Sequence, residues 1–287
     1  MPALKRLLIL GGTTEARALA KACVRRFKGR IETISSLAGR TRVLRPIVGD
    51  LRIGGFGGGT GLARYIRDQN IDFVVDATHP FAAKMSANAR IACAKTKRPR
   101  LQIVRPTQPI AGVTRHEVAD LRAAAKLLPR LGKRAFLTIG RTELSVFAKG
   151  KGVWLLVRVA ERPTAPLALP AHRVVVGLPP YTLAEEKRLM TRHRIDVLVT
   201  KASGGPATET KLRAARDLDI PVIEVRRPKP EPGPTVETVK AALAWIAAAL
   251  GPVAARERQS GGRARTGGSR RNPPLPKRGR RESTPSA

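Results

Sequence analysis

Residues 71–97 read IDFVVDATHPFAAKMSANARIACAKTK. The run 71–77 is almost wholly apolar and short, the pattern of a strand covered on both faces of a sheet. An aspartate ends it, His79–Pro80 follow, and 81–97 carry alanines and other small residues at helical spacing. Pro80 suits the first turn of that helix, where its missing N–H costs nothing. A buried strand running through a polar turn into a helix is the unit of a parallel α/β sheet. Ligands of such sheets bind outside the carboxyl ends of the strands, where His79 falls.

The same unit recurs in both directions along the chain. LKRLLIL (4–10) leads through two glycines into TTEARALAKACVRRF (13–27), with Ala16, Leu19, Ala20 and Cys23 on one helical face. IETISS (31–36) reads as a second strand, GLARYIRDQN (61–70) as a short helix and RLQIV (100–104) as a strand. A second series then starts: helix 117–131, strands 134–140 and 153–159, the strand HRVVVG and helix 183–193. Strand 195–203, helix 208–219, strand 221–227 and helix 236–251 complete it. The restart, and the break at RPTQPIAG (105–112), predict two α/β units, 1–115 and 116–251. IDFVVDATHP and IDVLVTKASGG (195–205) share a pattern, which suggests that the two units use corresponding strand ends.

Bulk composition excludes several classes. The 287 residues are 42% hydrophobic but only 3% aromatic, so the core must be built from aliphatic side chains. No apolar run approaches the roughly 20 residues of a bilayer span. Only four consecutive apolar residues, Leu7–Leu10, lie near the start, fewer than a signal-peptide core requires, so a cytoplasmic location is expected. Cys23 and Cys93 give neither a disulfide framework nor zinc spacing, and no metal site can be read elsewhere. The formal charge is +34, of which residues 252–287 carry +8. That segment, rich in Gly, Pro, Ser and Arg, is predicted to be a disordered basic tail. It would attract nucleic acid only nonspecifically, and the remaining excess suits nucleic acid, an anionic small substrate or solubility equally.

Each glycine-rich turn has a functional and a structural reading. Gly11 and Gly12 allow a close backbone approach and turn helix amides toward an anion, or serve a plain strand–helix turn capped by Thr13 or Thr14. SSLAGRTR (35–42) places Ser35, Ser36, Arg40 and Arg42 where an NADP site carries small polar groups and arginine, or forms an ordinary basic loop. Six glycines between 54 and 61 suit a flexible loop or close contact with a ligand. They lack the Lys-Ser/Thr of a P-loop, so nucleotide hydrolysis is not supported. Arg141 in LTIGRTEL (137–144) and Lys201 in VTKASGGPATETKLRAA (199–215) stand at strand ends as candidate anion ligands, or as surface cations. No Ser-His-Asp or paired-carboxylate arrangement can be defended.

Taken in order, LILGGTTEARALA, SLAGRT, IGGFGGGTGLARYI, DATHPFAAKMSANA, TIGRTEL and TKASGG…TKLRAARDLDIPVIEVRRP resemble the precorrin-6A reductases of cobalamin biosynthesis over about residues 4–250. The resemblance implies two Rossmann-like domains, each a parallel sheet flanked by helices, with the active site between them. It implies an NADPH-dependent reduction of one double bond of an anionic precorrin macrocycle, hydride going to one ring carbon and a proton to its neighbour. Gly11, Gly12, Thr13, Thr14, Ser36, Arg40, Thr78, Gly140, Arg141, Ser203 and Gly204 are then the cofactor-binding candidates. His79, Lys201 and Tyr181 are the candidate proton donors, in that order. Two departures stand out: RPTQP lacks the aromatic that normally follows Arg-Pro, and LPPY (178–181) lacks a family arginine and carries Tyr181 in place of phenylalanine. The alternatives left open are a cobalt-containing precorrin and a nucleic-acid-binding α/β protein.

Overall fold

The computed structural model describes residues 4–39, 46–107, 109–150 and 152–251. The expectations for Arg40, Arg42 and the tail 252–287 lie outside these. Two six-stranded parallel sheets are built. The first has β1 (Lys5–Leu10), β2 (Ile31–Leu37), β3 (Asp50–Ile53), β4 (Phe73–Asp76) and β5 (Arg100–Ile103); its helices are α1 (Thr14–Arg26), α2 (Gly58–Asp68) and α3 (Ala83–Thr96). The second has β6 (Arg115–Val118), β7 (Arg134–Leu137), β8 (Trp154–Val159), β9 (His172–Val176), β10 (Val197–Lys201) and β11 (Val222–Val225). Its helices are α4 (Leu121–Leu131), a 3₁₀ helix (Arg141–Phe147), α5 (Leu183–Arg192) and α6 (Pro206–Asp217). The chain then returns through β12 (Thr235–Val236) and α7 (Val239–Leu250) to the first sheet.

Strand order is β3-β2-β1-β4-β5-β12 in the first sheet and β9-β8-β7-β10-β11-β6 in the second. Both follow the doubly wound order, with its reversal between β1 and β4 and between β7 and β10. The edge position beyond β5 is filled by a strand from the far end of the chain, and the one beyond β11 by a strand that precedes β7. Residues 235–250, expected in the second unit, therefore belong to the first sheet. Two connections, 104–114 and 226–234, run between the sheets.

Burial follows the two-sided covering of each sheet. Leu7 and Ile9 point into the cluster shared with α1 and α7, while Leu8 and Leu10 point into the one shared with α2 and α3. β10 repeats the division, Val197 and Val199 on one face and Leu198 on the other. Thr13, Asp120 and Thr238 cap α1, α4 and α7 through their side-chain oxygens, and Thr182 with Glu185 forms a capping box on α5.

Four local expectations differ from the structure. Pro80 lies outside α3, in a turn closed by Ala82 N–H donating to His79 O at 2.7 Å, a position that accepts proline's fixed φ equally well. β6 occupies the start of the segment read as helix 117–131, and β12 sits ahead of α7 within 236–251. β3 falls in a stretch given no element. All three are edge strands, and Leu51 and Ile53 of β3 are exposed, so none carries the continuous apolar run of a central strand.

Ile246 is fully buried among Leu7, Ile9 and Leu19. Truncating it to alanine is expected to destabilise the fold by about 2–5 kcal/mol, read as a lowered urea midpoint. An unchanged midpoint would show that α7 is not part of this core.

Candidate active site at the two strand-order reversals

The turn after β1 is drawn tightly onto the turn after β4. Gly11 has φ +119°, and a Cβ there would lie 2.7 Å from Ala77 O and 2.8 Å from Thr78 Cα, so only glycine fits. Its N–H donates to Ser36 O at 3.0 Å. The Thr13 hydroxyl accepts from Ala16 N–H at 3.1 Å and donates to Ala77 O at 2.7 Å, so one side chain caps α1 and ties β1 to β4. Asp76, 1% exposed, accepts from the hydroxyl and N–H of Thr78 through Oδ1. This locks the first turn of DATHP.

His79 stands exposed beyond that turn. Its Nδ1 accepts from Phe81 N–H at 3.3 Å, which leaves Nε2 to carry the proton of the neutral ring. The surrounding protein, then the charges of Arg105, Lys201 and Lys211, press its pKa down to about 4. The imidazole is neutral at pH 7.

The second sheet supplies the facing groups. Lys201, the last residue of β10, is buried and forms an ion pair with Glu143 of the 3₁₀ helix. Its ammonium lies 4.7 Å from the ring centroid of Phe81, and Phe81 packs against the second sheet's core. The turns after β4 and β10 are therefore in contact. Gly204 (φ +65°) approaches so closely that a Cβ would lie 2.4 Å from Pro106 O, and Ser203 bonds Thr208 and Lys201 O. Arg105 pairs with both carboxylate oxygens of Glu15 at 3.3 Å, and Arg227 donates to Arg105 O at 2.7 Å.

Gly11, Gly12, Thr13, Thr14 and Thr78 thus gather at the first reversal, and Gly140, Arg141, Lys201, Ser203 and Gly204 at the second, with His79 at their meeting. Ser36 is buried in β2 and meets the turn through its carbonyl. Tyr181 packs elsewhere: the Arg158 guanidinium lies 4.0 Å over its ring, and its buried hydroxyl has no hydrogen-bond partner among the described residues. Arg158 in turn holds fully buried Glu186 through two bonds of 2.7 and 2.8 Å.

The family described as precorrin-6x reductase CbiJ/CobK matches residues 6–247. The chain belongs to that family. A precorrin-6A reductase of Rhodococcus erythropolis is 49% identical over 244 residues, covering 84% of this chain and 97% of the relative. One from Mycobacterium tuberculosis is 40% identical over 243 residues, covering 84% and 97%. The solved structure of a CobK precorrin-6A reductase superposes with a TM-score of 0.81 at 39% identity, covering 86% of this chain and 97% of that one. This member of the precorrin-6x reductases is an oxidoreductase with the two-sheet fold that the resemblance implied.

Sequence reading missed Arg105, Glu143, Lys211 and Arg227. Arg105 and Arg227 stand in the two connections, where no periodicity marks them. Glu143 shows its role only once the 3₁₀ helix faces β10. Lys211 alone left a signal, a lysine on the apolar face of a helix.

Because His79 is neutral in the fold but takes up a proton in the unfolded chain near its ordinary 6.5, stability is expected to fall as pH drops from about 6.5 toward 4. Replacing His79 by glutamine should flatten that part of the stability–pH curve. Urea unfolding at pH 7, 5.5 and 4.5 reads it, and parallel curves for both proteins would refute the assignment.

Proposed function

We propose that the protein reduces one double bond of precorrin-6A with NADPH, a step of cobalamin biosynthesis. The observation that carries the reading is the convergence of two strand-order reversals, each ending in a glycine turn, on one cluster of cations. Metal-free precorrin is favoured over the cobalt form because relatives named precorrin-6A reductase share 40–49% identity with this chain, against 28–29% for those named cobalt-precorrin-6A reductase.

The residues fit a dinucleotide. Gly11 brings backbone against backbone at the β1 turn, and the N-terminus of α1 opens there. α2 begins at Gly57–Gly58–Gly59 with no side-chain cap, and side-chain space at Gly54, Gly55, Gly57 and Gly58 is open, so its amides are accessible to an oxyanion. Gly11, Gly12, Thr14 and these amides are the groups that would hold the cofactor. When bound, the nicotinamide supplies the hydride. The preference for NADPH over NADH rests on the sequence SSLAGRTR (35–42), which brings arginines and no carboxylate after β2.

The protein's own groups position the macrocycle and deliver one proton. His79, held neutral, is suited to donate a hydrogen bond through Nε2 rather than to act as an acid. Tyr181 has its hydroxyl buried beside Arg158, and its pKa is raised above 10 by that burial. Lys201 is an ammonium at the cleft, held over Phe81 and against Glu143, whose carboxylate is partly exposed and connects it to solvent. Lys201 is therefore the preferred proton donor.

Purified protein with precorrin-6A should oxidise NADPH stoichiometrically at 340 nm and prefer it to NADH. Lys201→Met is expected to lower kcat by about 10²–10⁴-fold with NADPH affinity nearly unchanged. Absence of turnover in the wild type would sink the reading; an unimpaired Lys201→Met would move the proton to another group.

A further inference from the structure

The face of the second sheet that α4 covers carries a cavity of about 660 Å³, which shares no residue with the glycine turns, His79 or Lys201. Its floor is built by Leu128 of α4, Phe147 of the 3₁₀ helix, and Val153 and Leu155 at the head of β8, all buried in the second sheet's core. Space remains above them because α4 presents Ala125 and Pro129 there rather than long side chains. The other wall, 145–150, is turned by Ala148 N–H donating to Ser145 O and Gly150 N–H donating to Phe147 O, each at 3.1 Å. A Cβ at Gly150 would lie 3.3 Å from Phe147 O, so this wall is closely packed backbone and the cavity is preformed.

Charge at the rim has one sign. Arg122 and Lys126 stand one turn apart on α4, where like charges repel, and Lys149 joins them from the other wall. All three are exposed, and none has an ion pair or a side-chain hydrogen bond among the described residues. No carboxylate lines the cavity, and Ser145 is its one neutral polar side chain. The result is an apolar basin with cations at its mouth, within the size range of small-molecule sites, roughly 300–1,000 Å³. The 3₁₀ helix that presents Glu143 to Lys201 continues into the cavity wall through residues 145–147.

We propose that this cavity binds an amphipathic anion, an aromatic or acyl body that carries an oxyanion head. The body lies on Leu128, Phe147 and Leu155, and the head meets Arg122, Lys126 and Lys149. Burial of the apolar body, at roughly 25 cal/mol per Å², supplies most of the affinity. Exposed cations add less, but they select the sign of the charge and relieve the repulsion along α4. An inorganic anion would find only exposed cations here, and a second copy of this chain would bring its own excess of positive charge to the rim. The proposal stands apart from the reductase reading, and its occupant lies against the helix that holds the partner of Lys201.

Fluorescence titrations of the full chain with anilinonaphthalene sulfonate, and with N-phenylnaphthylamine, its counterpart without the sulfonate, test this. Ala125→Trp and Ser145→Trp fill the cavity from its two walls. Each is expected to remove either probe from this site, read as about one equivalent fewer at saturation. The double variant Arg122→Ser, Lys126→Ser keeps the floor. It should weaken the sulfonate about three- to tenfold and leave the uncharged probe within about twofold of wild type. Added salt should likewise weaken the sulfonate alone. A urea midpoint near that of the wild type reports that a variant has folded, and either tryptophan variant suffices. Wild-type titration curves in a folded tryptophan variant, or equal sulfonate affinity in wild type and the double variant, overturn the proposal. So does self-association that Ala125→Trp abolishes, which would assign this face to a second copy of the chain.

Discussion

Parallel pairing of β1 with β4, repeated by β7 with β10, is the constraint on which the rest of the structure depends. Parallel neighbours cannot be joined by hairpins, so each connection crosses a face of the sheet, and right-handed crossovers carry the chain to one side of β1 and then to the other. Where the direction changes, two turns diverge above neighbouring strands and leave a crevice between them. Gly11 and Thr78 line the first crevice, Gly140 and Lys201 the second. The backbone approach at Gly11, within 3 Å of where Ala77 and Thr78 would meet a Cβ, follows from that pairing and holds the first crevice to one shape.

Electrostatics then divides the cations by task. In a chain of +34, the groups at the cleft are not left to repel one another. Away from the glycine turns, Arg158 is satisfied by Glu186 and stacked on the rings of Phe136 and Tyr181, which makes it a structural cation of the second sheet. Arg105 is anchored by Glu15 and Lys201 by Glu143, yet each remains beside the turns. Removing one member of such pairs leaves a charge uncompensated, so these carboxylates set where positive charge is held and where it stays available. His79 registers the balance: its imidazole is held neutral first by the protein packed around it and then by three cations, and its remaining asset is a directed N–H.

How much of this was legible follows from which signals are local. The central strands announce themselves because two-sided burial demands an unbroken apolar run, as in LLIL (7–10) and FVV (73–75). The first-turn threonines were legible for the same reason, since a cap must sit at the junction of strand and helix. Edge strands β3, β6 and β12 were illegible: with one neighbour and an open side, RHEV and TV need no apolar pattern. Site residues divided likewise. Those on the glycine turns were named from sequence, whereas Arg105, Glu143 and Arg227 acquire meaning only from partners 58 to 122 positions away.

The exchange of β6 and β12 explains why those distant partners meet reliably. Each sheet ends on a strand reached through a connection from the other, so the first sheet is not complete until the chain has crossed twice. The two connections are joined where Arg227 donates to Arg105 O, and Arg105 extends its side chain to Glu15 at the head of α1. Glu15 thereby joins the first glycine turn to the crossing point. Gly204, pressed against Pro106 O, joins the second turn to the same point. The cleft is thus fixed from behind by backbone contacts that tolerate no Cβ, and its front carries the side chains of Lys201 and His79. A site that must admit a large anionic ring and a dinucleotide together needs that division, rigid where the sheets are tied and lined by polar side chains where the ligands enter.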